Sequence, residues 1–150
     1  MKEKMKEFYQ ALEKICGNKY FVLLFLPISV GFLLLYSYST SPLYINDAVD
    51  SAVFKTMGLA ILQGKIPYVD IFDHKGPIIY FIQALGQWLI PGRVGIFCLQ
   101  VIALFVTLLY LFKTSKLFLN NTLSFVTLLV TLYIYSGIIC EGNKCESWML

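Results

Sequence analysis

Charge falls along the chain in clusters, and the intervals between the clusters are apolar. Residues 20–46, 76–92, 94–112 and 117–140 contain no Asp, Glu, Lys or Arg. A helix crossing about 30 Å of hydrocarbon needs about 20 apolar residues. Residues 20–39, 94–112 and 117–140 meet that requirement and are predicted to span a membrane. The run 77–90, closed by Pro91 and Gly92, is short for a span and suits an interfacial or re-entrant helix. Upstream of it, Val53, Phe54, Met57 and Ile61 recur at helical spacing. They predict an amphipathic helix on the bilayer surface that opens near 47–50 and stops at Gly64, with Pro67 beyond. The pattern therefore predicts an all-α polytopic membrane protein. It has about three transmembrane helices and two interfacial helices in a large first outer loop, 40–93.

Orientation follows from the basic residues. The tail 1–19 carries Lys2, Lys4, Lys6, Lys14 and Lys19 against Glu3, Glu7 and Glu13, which places it in the cytoplasm. Lys113 and Lys116 form the other basic cluster without acids, and three spans return them to the same side. Loop 40–93 and the stretch from 141 to 150, the start of a second outer loop, then share the outer face. Composition agrees: 58% of residues are hydrophobic and 14% charged, where soluble domains carry roughly 25% charge. Mean hydropathy is +0.71. An aromatic content of 16% excludes disorder. The first apolar run exceeds a signal-peptide core and lacks a small-residue cleavage site, so it reads as a signal anchor. The net charge of +3 is mainly positive-inside bias and implies no nucleic-acid partner. Cys16 falls in the tail and Cys98 in a span, while Cys140 and Cys145 are either unlinked or paired on the outer face.

Loop 40–93 is too long for a passive connector. Asp47 and Asp50 sit at the start of its first helix, where they either cap free N–H groups or serve chemistry. The stretch Gly64-Lys65-Ile66-Pro67-Tyr68-Val69-Asp70-Ile71-Phe72-Asp73-His74-Lys75-Gly76-Pro77 sets two acids, the only histidine and two lysines among aromatics. Asp73 is a candidate cap for the helix opening at Pro77, and Lys75 could snorkel to headgroups. Alternatively, a lysine beside a positive helix end is suited to an anion such as a lipid phosphate. Asp70, Asp73 and His74 leave a divalent metal open, although their spacing matches no ligand motif. Glu141 and Glu146 are two carboxylates on the same outer face, either solvated or sharing a site with the first loop.

The order of these features resembles the N-terminal part of bacterial GT-C glycosyltransferases, the protein-mannosyltransferase and aminoarabinose-transferase-like group (glycosyltransferase family 39-like). The resemblance rests on a first span, an early acid in Asn46-Asp47 and Asp50-Ser51, a surface helix, and 64–70 followed by Phe72-Asp73-His74-Lys75-Gly76-Pro77. A second acidic loop, Gly142-Asn143 to Glu146, completes it. The resemblance covers 20–150, and 68–77 is its most specific part. It implies a sugar transferase of the bacterial cytoplasmic membrane using a polyprenyl-phosphate-linked sugar donor. Asp50 would deprotonate or orient the acceptor, and Glu146 would be the second catalytic acid. Lys75 and His74 would hold the donor phosphate, with Asp47, Asp70, Asp73 and Tyr68 on the substrate side. Such enzymes have many more helices, so the resemblance implies that this chain is an N-terminal fragment whose partners are membrane lipids and further C-terminal helices. Where family members often carry paired acids, this chain has Asp50-Ser51 and Glu146-Ser147. The alternative is a small non-catalytic membrane protein that binds a lipid phosphate or a partner protein.

Overall fold

The computed structural model of the chain describes residues 2–139 and 142–148. Among these the order is α1 (Lys2–Gly17), a 3-10 turn (Phe21–Leu24), α2 (Phe25–Tyr36), α3 (Val49–Leu62), α4 (Pro77–Leu89), α5 (Arg93–Ser115), α6 (Asn121–Ile139) and a closing 3-10 turn (Cys145–Trp148). The described residues include no named strand. α5 and α6, of 23 and 19 residues, are long and apolar enough to cross a membrane. The first predicted span begins as the 3-10 turn, ends at Tyr36, and meets α1 at a bend of 88°. Counting that bent pair as one segment raises the helices able to span from two to three. The basic tail is itself a helix, since Met5, Phe8, Leu12 and Ile15 recur at helical spacing within it.

Lipid is as apolar as leucine, so helices in a bilayer associate through shape and internal hydrogen bonds. Here α2, α5 and α6 enclose Leu33, Leu104, Leu108, Leu128, Leu132 and Ile139. At the α1 end Phe21, Phe25, Phe112 and Phe125 interlock edge-on or tilted, with centroids 5.2–5.8 Å apart. Hydroxyls within the helices bond back along their own turns: Ser29 to the Phe25 carbonyl at 2.8 Å, Thr127 to Leu123 at 3.0 Å and Thr131 to Thr127 at 2.9 Å.

α1 is fastened to the start of α6. Asn120 Oδ1 accepts the Leu123 N–H at 2.9 Å, an asparagine cap. The Glu13 carboxylate accepts the N–H groups of Asn121 (3.0 Å) and Thr122 (2.9 Å), together with the Asn121 amide (2.6 Å) and the Thr122 hydroxyl (2.7 Å). The Thr122 hydroxyl and amide, then Asn121, hold the Glu13 carboxyl down to about 2. A depressed carboxyl stabilises the fold above its unfolded range and ceases to do so as pH falls through its folded value. The clamp is therefore expected to be independent of pH from neutrality down to mild acid and to open near pH 2. Glu13→Ala is expected to speed amide exchange several-fold across α1 and the first turn of α6 only; unchanged exchange there would contradict the clamp.

At the other end of the bundle, α3 packs on α4 around Phe54, Met57, Ile79 and Tyr80. A Cβ on Gly58 would lie 2.7 Å from the Gln83 Cβ and 2.8 Å from the Ala84 nitrogen, so glycine sets the approach of the two helices. The apolar face of α3 is thus covered by α4 rather than laid on the bilayer, with Val53 at its margin, 39% exposed. Both capping expectations are also corrected. Ala48 precedes α3 and Gly76 precedes α4, each without a side-chain cap, because Asp47 and Asp73 are engaged elsewhere. Pro77 opens α4 and α4 stops before Pro91, as their fixed φ angles favour.

Candidate functional site

Loop 63–76 is folded by its own polar groups. Gly64 takes φ +83°, which ends α3. The Asp70 carboxylate accepts the Ile66 N–H at 2.8 Å, and Tyr68 adopts φ +67° between them. A tyrosine in that region is uncommon, and a conformation of this kind persists only where its surroundings hold it. The Tyr68 hydroxyl donates to the Lys75 carbonyl. The Tyr80 hydroxyl donates to Asp73 Oδ2 at 2.8 Å and lies 3.2 Å from the same Lys75 carbonyl. Lys75 is therefore fixed through its backbone at the mouth of α4.

Asp73 also accepts the His74 N–H at 2.8 Å and meets His74 Nδ1 at 2.9 Å. Burial opposes its ionisation, but the Tyr80 hydroxyl and the His74 contacts outweigh burial and lower its carboxyl below the ordinary value. The Tyr80 phenol is raised, by burial first and by Asp73 next. Asp70 is spent on the turn and Asp73 on its neighbours. Accordingly, among the described residues no group of three or more His, Cys, Asp or Glu side chains is placed to hold a metal ion. Asp70, Asp73 and His74 do not form such a group.

Asp47 lies 2.6 Å from Lys55 Nζ and 3.6 Å from Arg93 Nη2. Lys55 also donates to the Ser39 carbonyl at 2.6 Å, and Arg93 to the carbonyls of Tyr44 and Ile45. Burial lowers the Lys55 ammonium below its ordinary value although Asp47 opposes the shift. Asp47 thus ties the loop after α2 to α3 and α5. Asp50, one turn on, is exposed and borders a recess of about 290 Å³ with Tyr38, Asp47 and Val49.

The second loop meets the first through a buried knot. Asn143, with no exposed surface and φ +48°, donates to Ser51 Oγ at 2.8 Å and to Gln83 Oε1 at 3.2 Å. Its Oδ1 accepts from Gln83 Nε2 at 2.6 Å and from Trp148 Nε1 at 3.2 Å. One side chain thereby joins α3, α4 and the closing turn. A carboxylate at position 51 would be buried against it, which explains a serine beside Asp50.

Four expected site residues act electrostatically on one thiol of this closing turn. Lys75, Glu146, Asp50 and Asp73 all act electrostatically on the Cys145 thiol, Lys75 lowering its pKa and the three acids raising it; burial, the largest influence, also raises it. Beside Cys145 an apolar groove of about 330 Å³ runs along α4, lined by Pro77, Ile78, Ile79, Ile82 and Trp148. Gly76 and Pro77, the N-terminus of α4 without a side-chain cap, also line it, and Lys75 directly precedes them. Lys75 makes no ion pair among the described residues. Asp47, Asp70 and His74 stand outside this convergence as side chains already bonded or exposed.

Sequence reading missed Gln83 and named Asn143 and Cys145 without giving either side chain a role at the site. The available signal for Gln83 was an uncharged amide within an otherwise apolar helix: Gln83 and Gln87 lie one turn apart in α4, and Gln100 stands alone in α5. Gln87 donates to the Lys55 carbonyl at 2.7 Å, and Gln100 accepts from Ser37 at 3.2 Å and also from Thr40. The pairing of Cys140 with Cys145, and the Glu141 carboxylate, fall outside the described residues. No family model matches this chain, and no curated protein or solved structure matches it either.

Proposed function

We propose that the chain is the N-terminal module of a membrane glycosyltransferase that moves a sugar from a polyprenyl-phosphate donor to an acceptor on the outer face of the bacterial cytoplasmic membrane. What carries this reading is Lys75, which directly precedes the apolar groove along α4 and acts, as Asp50 and Glu146 do, on the Cys145 thiol in that groove's lining. A polyprenyl phosphate has the same two-part chemistry. Its anionic head suits an ammonium beside free helix N–H groups, and its tail suits Ile78, Ile82 and Trp148. Asp50 is the acceptor base, and Glu146 orients the acceptor or the sugar. Asp73, Tyr68 and Tyr80 position Lys75, with His74 at the exposed rim. Loop 40–93 lies outside, the N-terminus is cytoplasmic, and further C-terminal helices enclose the donor.

The test is polyprenyl-phosphate binding to the protein in nanodiscs. A charge-assisted contact is worth about 1.5–3 kcal/mol, so Lys75→Ala is expected to weaken binding about tenfold to a hundredfold. Equal binding by both proteins would remove Lys75 from the site. A second reading, a non-catalytic lipid-phosphate binder, is favoured by one observation: Asp47 is held by Lys55 and Arg93, Asp70 by the Ile66 N–H and Asp73 by Tyr80 and His74, leaving Asp50 as the one acid of the first loop without a hydrogen bond or ion pair among the described residues. The two readings part at Asp50, which a binder does not need.

A further inference from the structure

We infer that α1 is an in-plane anchor that seats on anionic lipid headgroups at the membrane face opposite the candidate site. At about 100° per residue, Met5, Phe8, Leu12 and Ile15 fall within one arc of about 80°. Met5, Phe8 and Ile15 remain 65%, 64% and 56% exposed after α1 has docked on α6. The docked side is a different one, formed by Tyr9, Glu13 and the buried Cys16. Glu13 fixes the roll of the helix, and the 88° bend lays it across the axis of the following apolar segment. An apolar stripe held crosswise at the end of a membrane bundle meets the headgroup boundary.

Charge complementarity selects the lipid. Exposed Lys4 borders the apolar arc, about 20° outside its edge, whereas Lys6, Glu3 and Glu7 all lie about 80° or more outside it. Lys19 sits 4.9 Å over the Tyr20 ring at the bend, and Lys113 and Lys116 close the same end of the bundle over Tyr110 and Phe112. All five ammoniums are exposed. Each lysine near an anionic surface contributes about a fivefold preference. This inference is independent of the proposed transferase activity.

The experiment is hydrogen exchange of the full chain in nanodiscs of phosphatidylcholine, with and without phosphatidylglycerol. Protection of α1 is expected to rise at least about tenfold with phosphatidylglycerol. Converting Lys4, Lys19, Lys113 and Lys116 together to Gln should abolish that rise. Phe8→Asp should lower protection in both lipids, whereas a helix held only by Glu13 would not respond. Equal protection in the two lipids, a rise that survives the fourfold lysine substitution, or indifference to Phe8→Asp would each overturn the inference.

Discussion

Asp50→Asn is expected to lower sugar transfer about a hundredfold to ten-thousandfold in membranes that carry the protein, the span typical of a lost general base. Asparagine keeps the shape of the side chain and removes its charge. Asp50 is exposed and makes no ion pair among the described residues, so the fold should lose less than about 0.5 kcal/mol. Polyprenyl-phosphate binding, which the proposed function assigns to Lys75, should persist. The same variant reports on the geometry without any assay of transfer. Asp50 raises the Cys145 thiol, so its removal should bring the thiolate in at lower pH and speed alkylation at a given pH. Lys75→Ala should act in the opposite direction. Full transfer by Asp50→Asn would remove Asp50 from the catalytic role, and an unmoved alkylation profile would place Asp50 away from Cys145.

Gly95→Ala is expected to be the most damaging single-methyl change in the chain. A Cβ at position 95 would collide with the carbonyl oxygens of Gly86 and Ile90, where α4 turns into α5. Gly86 faces back across the same contact, its own Cβ position lying 3.0 Å from Ile96 Cγ1 and 3.1 Å from the Ile96 backbone. Overpacking a side chain costs about 1–3 kcal/mol, and backbone cannot rotate aside, so the upper value applies. About 3 kcal/mol corresponds to a fall in Tm of about 6–12 °C for a chain of this size. Gly137→Ala is the control, since nothing lies within 4 Å of that Cβ. It should be neutral or slightly stabilising through the unfolded state. Equal melting of the two variants would mean that α4 and α5 do not meet as closely as the structure places them.

Local physics made much of the helical frame legible. The charge-free runs 94–112 and 117–140 lie largely within α5 and α6, because an uninterrupted apolar run of that length has few alternatives to a helix. Gly64, Pro77 and Pro91 marked the ends of α3 and α4 through φ angles that other residues resist or that proline imposes. The bend before α2 was not legible, since Asn18 and Lys19 carry no breaker as strong as proline. The helix α1 was obscured by its lysines, whose charge suggested a tail although the apolar period was present.

At the site, Lys75, Asp73 and Tyr68 could be picked out because they are close in sequence and chemically unusual beside apolar residues. Their division of labour was not readable. Which acid is tied down depends on Arg93 and Tyr80, partners supplied by folding. The Asn143 knot was the least legible part. Its contacts reach 60 residues to Gln83 and 92 residues to Ser51, and nothing local announces them.

The central claim is that Lys75 and the groove along α4 form one lipid-phosphate site, and photocrosslinking tests it most directly. A polyprenyl phosphate bearing a diazirine near its head would be activated with the protein in nanodiscs, and the adducts mapped by mass spectrometry. The account predicts adducts on Ile78, Ile82 or Trp148 that are lost in Lys75→Ala. Adducts confined to outward residues of α5 and α6 such as Ile102, Val106 and Ile134, or labelling indifferent to Lys75, would contradict it.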